Sequence, residues 1–198
     1  MGQARSLLLA SNSPRRVELL HSAGFQFGIV SPEIDEHFGV DLTLRELTAF
    51  NALRKGMAIA RKNQRQVVLA ADTLVALDHE VIGKPVDLTD ARNILHRLSG
   101  RRHEVCSAVF IVHNVVRKST LFHEISRVRF RRLTSARVDN YIAKVNPLDK
   151  AGAYSAQAFG AEIIQEIDGS FTNVVGLPME KTIAALAEFG LHPAGRRT

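Results

Sequence analysis

Leu7-Leu8-Leu9-Ala10-Ser11-Asn12-Ser13-Pro14-Arg15-Arg16 is the stretch on which the reading of this chain turns. An apolar run stops at two serines and passes straight into a helix start. Ser13 suits the N-cap, and Pro14 suits the first helical position, where a missing N–H costs nothing. The other N–H groups of that first turn have no partner within the helix and point outward. Arg15 and Arg16 sit on the same turn, against a helix dipole that favours acidic residues there. Two cations at a positive helix end make sense if a strong anion, such as a phosphate chain, occupies the site.

Outward from this segment, the first helix runs from Pro14 to about Ala23 and closes at Gly24, and Phe25 to Val30 reads as a second strand. Thr43-Leu44-Arg45-Glu46 is a capping box, and Leu47, Phe50, Leu53, Met57 and Ala60 carry the helical period towards Lys62. Val67-Val68-Leu69-Ala70-Ala71 is an unbroken apolar run, predicted as a buried strand that ends at Asp72-Thr73, with a β pattern resuming over Leu74 to Leu77. Asp78-His79-Glu80 reads as a turn before Val81-Ile82-Gly83-Lys84-Pro85. A helix from Thr89 or Asp90 to Leu98 follows, then strands at Glu104 to His113 and Ser119 to Phe130, and a helix capped by Thr134 through Lys144. Strands at Glu162 to Ile167 and Phe171 to Val175 flank the turn Asp168-Gly169-Ser170, and Pro178 opens a last helix ending at Phe189-Gly190. Strands and helices alternate, yet several neighbouring strands look like hairpins. That predicts an α/β fold with a mixed sheet.

The 198 residues suit one large domain or two small lobes with a sizeable core. A hydrophobic fraction of 45% and a charged fraction of 23% read as soluble and globular. No apolar run approaches the roughly 20 residues of a membrane span. Cys106 is the single cysteine, so no internal disulfide forms, and a reducing cytoplasm is the simplest home. The net charge of +6 favours anionic ligands without choosing among them. Arg127, Arg129, Arg131 and Arg132 alternate as on a solvated strand face, and no interleaved aromatics support nucleic-acid binding.

Four further segments carry candidate chemistry. Asp72, where the apolar strand is expected to end, could accept a proton from water or bind a divalent cation; the competing reading is a local turn hydrogen bond. Glu33, Asp35 and Glu36 form an acidic knot, in which Asp35 and Glu36 are hard oxygen donors suited to Mg²⁺ or Mn²⁺; otherwise they are a solvated loop. Lys55 on the capped helix and Lys84 within Gly83-Lys84-Pro85 could offset phosphate charge, or be ordinary surface lysines. In Asp149-Lys150-Ala151-Gly152-Ala153-Tyr154-Ser155-Ala156-Gln157, small residues surround one Tyr and one Gln. A Gln amide both donates and accepts, as reading a pyrimidine edge requires, although the stretch also fits a tight structural turn. Neither a Gly-x-x-x-x-Gly-Lys-Ser/Thr loop nor Gly-x-Gly-x-x-Gly occurs, and the histidines lack zinc spacing.

Taken together, these residues resemble the Maf family of nucleoside triphosphate pyrophosphatases, from Leu7 to about Leu186. Ser11-Asn12-Ser13-Pro14-Arg15-Arg16, Ala71-Asp72-Thr73, Gly83-Lys84-Pro85, Leu98-Ser99-Gly100, Asp149 to Tyr154 and Val175-Gly176-Leu177-Pro178 follow one another in the family's order. The resemblance implies a two-lobed Maf/ITPase-like α/β fold: a central mixed sheet flanked by helices, a cleft between the lobes, and one catalytic domain over 1–195 with a basic tail at 196–198. It implies hydrolysis between the α and β phosphates, a divalent cation (Mg²⁺ or Mn²⁺) at Asp35, Glu36 and Asp72, and often a homodimer. Asp72 takes the place of the proton acceptor. Ser11, Ser13, Arg15, Arg16, Lys55 and Lys84 take substrate- and phosphate-binding places, while Arg15, Thr73 and Gln157 take those linked to base selection. Tyr154 and Gln157 favour dTTP and UTP over 7-methyl-GTP, the substrate of a sister subfamily. The chain departs from the family pattern at Ala156-Gln157-Ala158, where Ile-Gln-Gly is usual, at Lys55-Gly56 for Lys-Ala, and at Arg127-Val128-Arg129. The rival reading is a non-catalytic nucleic-acid-binding or division-regulating protein using its basic surface.

Overall fold

In the computed structural model, which describes residues 6–34 and 42–194, the opening strand β1 (Leu7–Ala10) feeds helix α1 (Pro14–Ser22) as its sequence demands. Strand β2 (Phe27–Val30) lies parallel to β1, with Leu7 opposite Phe27 and Ala10 opposite Val30. Helix α2 (Leu44–Lys62) precedes the long strand β3 (Val67–Leu77), which flanks β1 on its other side, also parallel, with Leu7 opposite Val67. Parallel neighbours need crossover connections, and α1 and α2 lie between these strands in the chain. Strand β4 (Glu80–Ile82) pairs antiparallel with β3 through a two-residue turn at Asp78 and His79. Both turn residues are left-handed (φ 50 and 71), the conformation that matches the twist of a tight hairpin.

Helix α3 (Leu88–Leu98), strands β5 (Arg102–His113) and β6 (Lys118–Phe130), and helix α4 (Ser135–Lys144) follow. A 3-10 turn at Ala151–Ala153, the short helix α5 (Gly160–Ile163), strand β7 (Ile164–Asp168), the helical turn α6 (Phe171–Val175) and helix α7 (Met179–Glu188) complete the chain. The sheet has seven strands in the order β2-β1-β3-β5-β6-β7, with β4 attached to β3. Parallel β1 and antiparallel β3–β4 and β6–β7 pairings make it mixed, as the hairpin signals predict.

The chain divides into two compact units. The first comprises Met1–Asp72, Ser107–His123 and Gly176–Thr198. Its β3 is buried on both faces: Val67, Leu69 and Ala71 pack with Leu20, Ile111 and Phe189, while Val68 and Ala70 pack with Ala52, Ala60 and Phe110. Burial on both faces is why this strand reads as an unbroken apolar run. Gly56 explains one departure from the family pattern, because a Cβ there would stand 2.5 Å from Phe110 Cδ1, so helix α2 can lie against that ring only without one. The second unit comprises Thr73–Cys106 and Glu124–Val175. Its core joins Leu95 and Leu98 of α3 to Val138 and Tyr141 of α4, over Phe130 and Tyr154.

Three sequence expectations are corrected. Asp72 does not end a strand: β3 continues unbroken through it to Leu77. Phe171–Val175 is helical rather than extended. The Ser170 hydroxyl accepts from the Asn173 N–H, and the Asn173 amide donates to the Val105 carbonyl and the Ser126 hydroxyl. Those bonds fix a turn that a short apolar run does not announce. The N-cap of α3 is Asp87, whose side chain accepts from Asp90 N–H, rather than a residue two or three positions on. The alternating arginines do face solvent: Arg127 and Arg129 are exposed between buried Ser126, Val128 and Phe130. Arg127 lies 3.5 Å from Glu104 on the strand surface, and Arg102 of β5 lies 3.5 Å from Glu166. Among the described residues no helix is long and apolar enough to cross a membrane.

Candidate functional site

In the first unit, β1 ends at the segment that opened the sequence reading. Ser13 occupies the N-cap of α1 in extended conformation, with Pro14 at the first turn, but the Ser13 side chain makes no capping hydrogen bond. Ser11 plays the organising part instead, its hydroxyl accepting from the Ser13 N–H at 3.1 Å and from Arg16 Nη1 at 3.3 Å. Arg16 is buried, and its Nε donates to the Gly176 carbonyl at 2.9 Å. One arginine therefore ties the start of α1 to the segment just before α7. Arg15 is half-buried on the same turn.

The most concentrated chemistry of this unit lies between α2 and β3. Asp72 is only 2% exposed and Lys55 8% exposed. Lys55 Nζ donates to Asp72 Oδ1 at 2.6 Å, and Asn51 Nδ2 donates to Oδ2 at 3.2 Å. Both carboxylate oxygens are thus held by donors one helical turn apart, since residues four apart share a helix face. A buried carboxylate needs this company, because an isolated ion away from water is costly. These partners also explain why β3 need not end at Asp72: its charge is met by α2 without any turn.

Asn51 is absent from the sequence reading, although a signal for it existed. The buried stripe of α2 contains Thr48, Asn51 and Lys55 among Leu47, Ala52 and Ile59. Thr48 bonds carbonyls of its own helix, but Asn51 and Lys55, one turn apart inside that apolar stripe, mark a polar target in the facing strand.

The second unit holds Thr73, Lys84 and Gln157. Thr73 directly follows Asp72 and is half-buried; Lys84 is exposed and Gln157 half-buried. The Gly152 N–H donates to the Gly83 carbonyl at 3.0 Å, so the loop of Lys84 and the loop leading to Gln157 are joined. Gly152 (φ 72) and Ala153 (φ 62) are consecutive left-handed residues, and Ala158 (φ 50), where the family pattern has glycine, is a third. The loop therefore keeps a glycine-like backbone there despite the substitution, at the strain an alanine carries in that region.

Two buried tyrosines pin this loop. The Tyr141 hydroxyl accepts from the Ser155 N–H at 2.9 Å and donates to the Ser155 carbonyl at 3.4 Å. Burial pushes its hydroxyl up to about 12. The Tyr154 hydroxyl shares a hydrogen bond of 2.9 Å with His103 Nε2, and the Ser155 hydroxyl accepts from the Gln157 N–H at 3.2 Å. His103, Phe130 and Tyr154 meet edge to face, with centroids 4.8–5.4 Å apart. Burial raises the Tyr154 hydroxyl and lowers His103 to about 4, so His103 is a neutral imidazole at pH 7.

That neutrality gives a pH prediction. A histidine near 4 when folded and about 6.5 when unfolded binds its proton more readily in the unfolded chain between those values. Stability from this group is complete above pH 6.5 and falls as pH drops towards 4. The loss reaches about 3 kcal/mol there. Urea melts of wild type and His103→Gln between pH 4 and 7 should converge as pH falls; parallel curves would show that His103 does not titrate in this way.

The expected metal ligands divide. Asp35 and Glu36 lie outside the described residues, as does the basic tail at 196–198. Among the described residues, no group of three His, Cys, Asp or Glu side chains is placed to hold a metal ion. Both oxygens of Asp72 already accept hydrogen bonds. Of the three expected ligands, Asp72 is the one that stands among the described residues.

The profile of the family described as Maf-like protein matches residues 6–189. A protein of Symbiobacterium thermophilum named dTTP/UTP pyrophosphatase is 42% identical over 186 residues, covering 94% of this chain and 95% of that protein. A Bacillus pumilus protein of the same name is 43% identical over 187 residues, covering 94% and 98%. A solved structure, that of the Staphylococcus aureus Ham1 protein, is similar with a TM-score of 0.46 at 16% identity, covering 64% of this chain and 72% of that one.

Proposed function

This chain belongs to the Maf-like protein family, and from that premise we propose that it is a nucleoside triphosphate pyrophosphatase acting on dTTP and UTP. Water adds to the α phosphorus, the bridging bond to the β phosphate breaks, and a nucleoside monophosphate and pyrophosphate leave. The observation that carries this reading is the buried Asp72 carboxylate, gripped by Lys55 at 2.6 Å. A carboxylate held in one orientation takes the proton of the attacking water. The neighbouring ammonium offsets charge on the phosphate oxygens, which is where positioning and electrostatics contribute most to phosphoryl chemistry.

The remaining roles follow the residue chemistry. Arg15, Lys55 and Lys84 bind phosphate oxygens, together with the N–H groups at the start of α1. Ser11 and Arg16 hold that start in shape, with Ser13 at its cap, and the Arg16 guanidinium adds positive charge beside the phosphates. Arg15, Thr73 and Gln157 select the base. A divalent cation, Mg²⁺ or Mn²⁺, enters with the triphosphate as part of the substrate, and Asp35 and Glu36 are oxygen donors available to it. The names of two relatives at 42% and 43% identity support the choice of dTTP and UTP.

Pyrophosphate release from dTTP, UTP, dCTP, dGTP and 7-methyl-GTP, each with Mg²⁺ or Mn²⁺, tests the reading. The expected kcat/KM for dTTP and UTP exceeds the others by at least about tenfold. Release from 7-methyl-GTP alone would move the substrate to the sister subfamily. No release from any nucleotide, with steeply salt-dependent DNA binding, would replace the enzyme by a binding protein.

A further inference from the structure

The two oxygens of Asp72 are held unequally. Oδ1 accepts from the Lys55 ammonium at 2.6 Å, and Oδ2 accepts from the Asn51 amide at 3.2 Å. A carboxylate oxygen has two lone pairs, so each of these bonds uses half of what its oxygen offers. The short bond from a cation engages Oδ1 strongly, whereas Oδ2 meets a longer, neutral donor. Oδ2 therefore keeps the lone pair more available to a proton from water.

Asn51 and Lys55 also differ in what they fix. Lysine ends a flexible four-carbon stem in a rotatable ammonium, which supplies charge to an oxygen without setting its direction. Asparagine has two side-chain torsions and a planar amide, so its N–H leaves α2 along a defined line. That line matters, because the terminal torsion of an aspartate is broad and roughly two-fold. With Lys55 alone, the carboxylate could turn about its own axis and carry Oδ2 away from a fixed point. Asn51 is 2% exposed and lies on the buried stripe of α2, so bulk water does not stand in for its amide.

We propose that Asn51 is a positioning residue for the hydrolysis, its amide fixing the plane of the Asp72 carboxylate so that Oδ2 meets the attacking water. Oδ2 takes one proton of that water as the water oxygen bonds to the α phosphorus. The bond from the α phosphorus to the bridging oxygen breaks, and its electron pair leaves with pyrophosphate. Asn51 acts through Asp72 rather than on the substrate, and the inference rests on the general-base role given to Asp72 above.

Asn51→Ala removes the amide, and Asn51→Leu removes it while keeping most of the bulk. Titration calorimetry with Mg²⁺ and α,β-methylene-dTTP, whose bridging carbon resists hydrolysis, counts the competent sites and gives Kd. Turnover of dTTP is then expressed per competent site, so that loss of folded protein is not read as loss of rate. The kcat per site is expected to fall at least about tenfold in both variants, while Kd for the analogue stays within about threefold. In an Asp72→Asn background, Asn51→Ala should lower kcat by no more than about twofold, because the carboxylate it positions is gone. A smaller fall in both single variants, or a second tenfold fall in the Asp72→Asn background, overturns the inference. If Asp72→Asn is slow while both Asn51 variants turn over like wild type, the general base survives and Asn51 falls alone. If Asp72→Asn itself keeps wild-type turnover, both fall together.

Discussion

Asp72→Asn is expected to lower turnover of dTTP by roughly 10²–10⁴-fold, the range associated with removal of a positioned general base. Asparagine keeps the size and both hydrogen-bonding positions of the side chain but does not accept the water proton. Affinity for the nucleotide should change far less, because the proposed phosphate ligands Arg15 and Lys84 are untouched; titration calorimetry with dTTP measures it directly. The substitution also replaces the carboxylate that Lys55 meets at 2.6 Å with a neutral amide. Some stability is therefore lost, and a thermal melt must show that the variant is folded at the assay temperature. A folded Asp72→Asn enzyme that turns over dTTP within a fewfold of wild type would remove Asp72 from the chemistry. The buried carboxylate would then be a structural ion alone.

The contrast between Asp72 and its surroundings shows what a linear reading of this chain could reach. The Ser13-Pro14 start of α1 and the Thr43–Glu46 capping box at the start of α2 are local signals, and both stand where the residues predict. Strand pairing through Asp78-His79 is similarly local. Asp72 was legible as chemistry but not as geometry. A charged residue after five apolar ones looks like a strand end until Asn51 and Lys55 of another element are known to meet it. Phe171–Val175 looks extended from its sequence for a related reason: its helical turn is fixed by Asn173 bonds to Val105 and Ser126, 68 and 47 residues away in sequence. His103 drew no attention, because one histidine in an apolar strand has no pattern of its own. Only its bond to Tyr154 gives it one. The Gly56 and Ala158 departures likewise become interpretable with Phe110 and the left-handed backbone in view.

Lys55→Met should be among the most destabilising single changes in the first unit. The Lys55–Asp72 pair has side-chain exposures of 10% and 3%, so solvent screens little of it. Removing Lys55 leaves a buried carboxylate that has lost its cation, with the Asn51 amide donating to it at 3.2 Å. The cost for such a buried pair is about 3–5 kcal/mol, which for a chain of this size lowers the melting temperature by about 10 °C. Asp72→Leu should cost a similar amount by leaving the ammonium buried. The double variant, Lys55→Met with Asp72→Leu, removes both charges and their desolvation together. It should recover to within about 1–2 kcal/mol of wild type, giving a coupling of several kcal/mol in a double-mutant cycle. A coupling below about 0.5 kcal/mol would show that water screens the pair and that the burial argument is wrong. The same double variant should be catalytically dead. If it is both stable and inactive, the fold has no need of this ion pair, and a hydrophobic contact would serve the core equally well. The charge in the middle of β3 would then be kept for the reaction, with Lys55 making its burial tolerable until a triphosphate supplies further charge to balance.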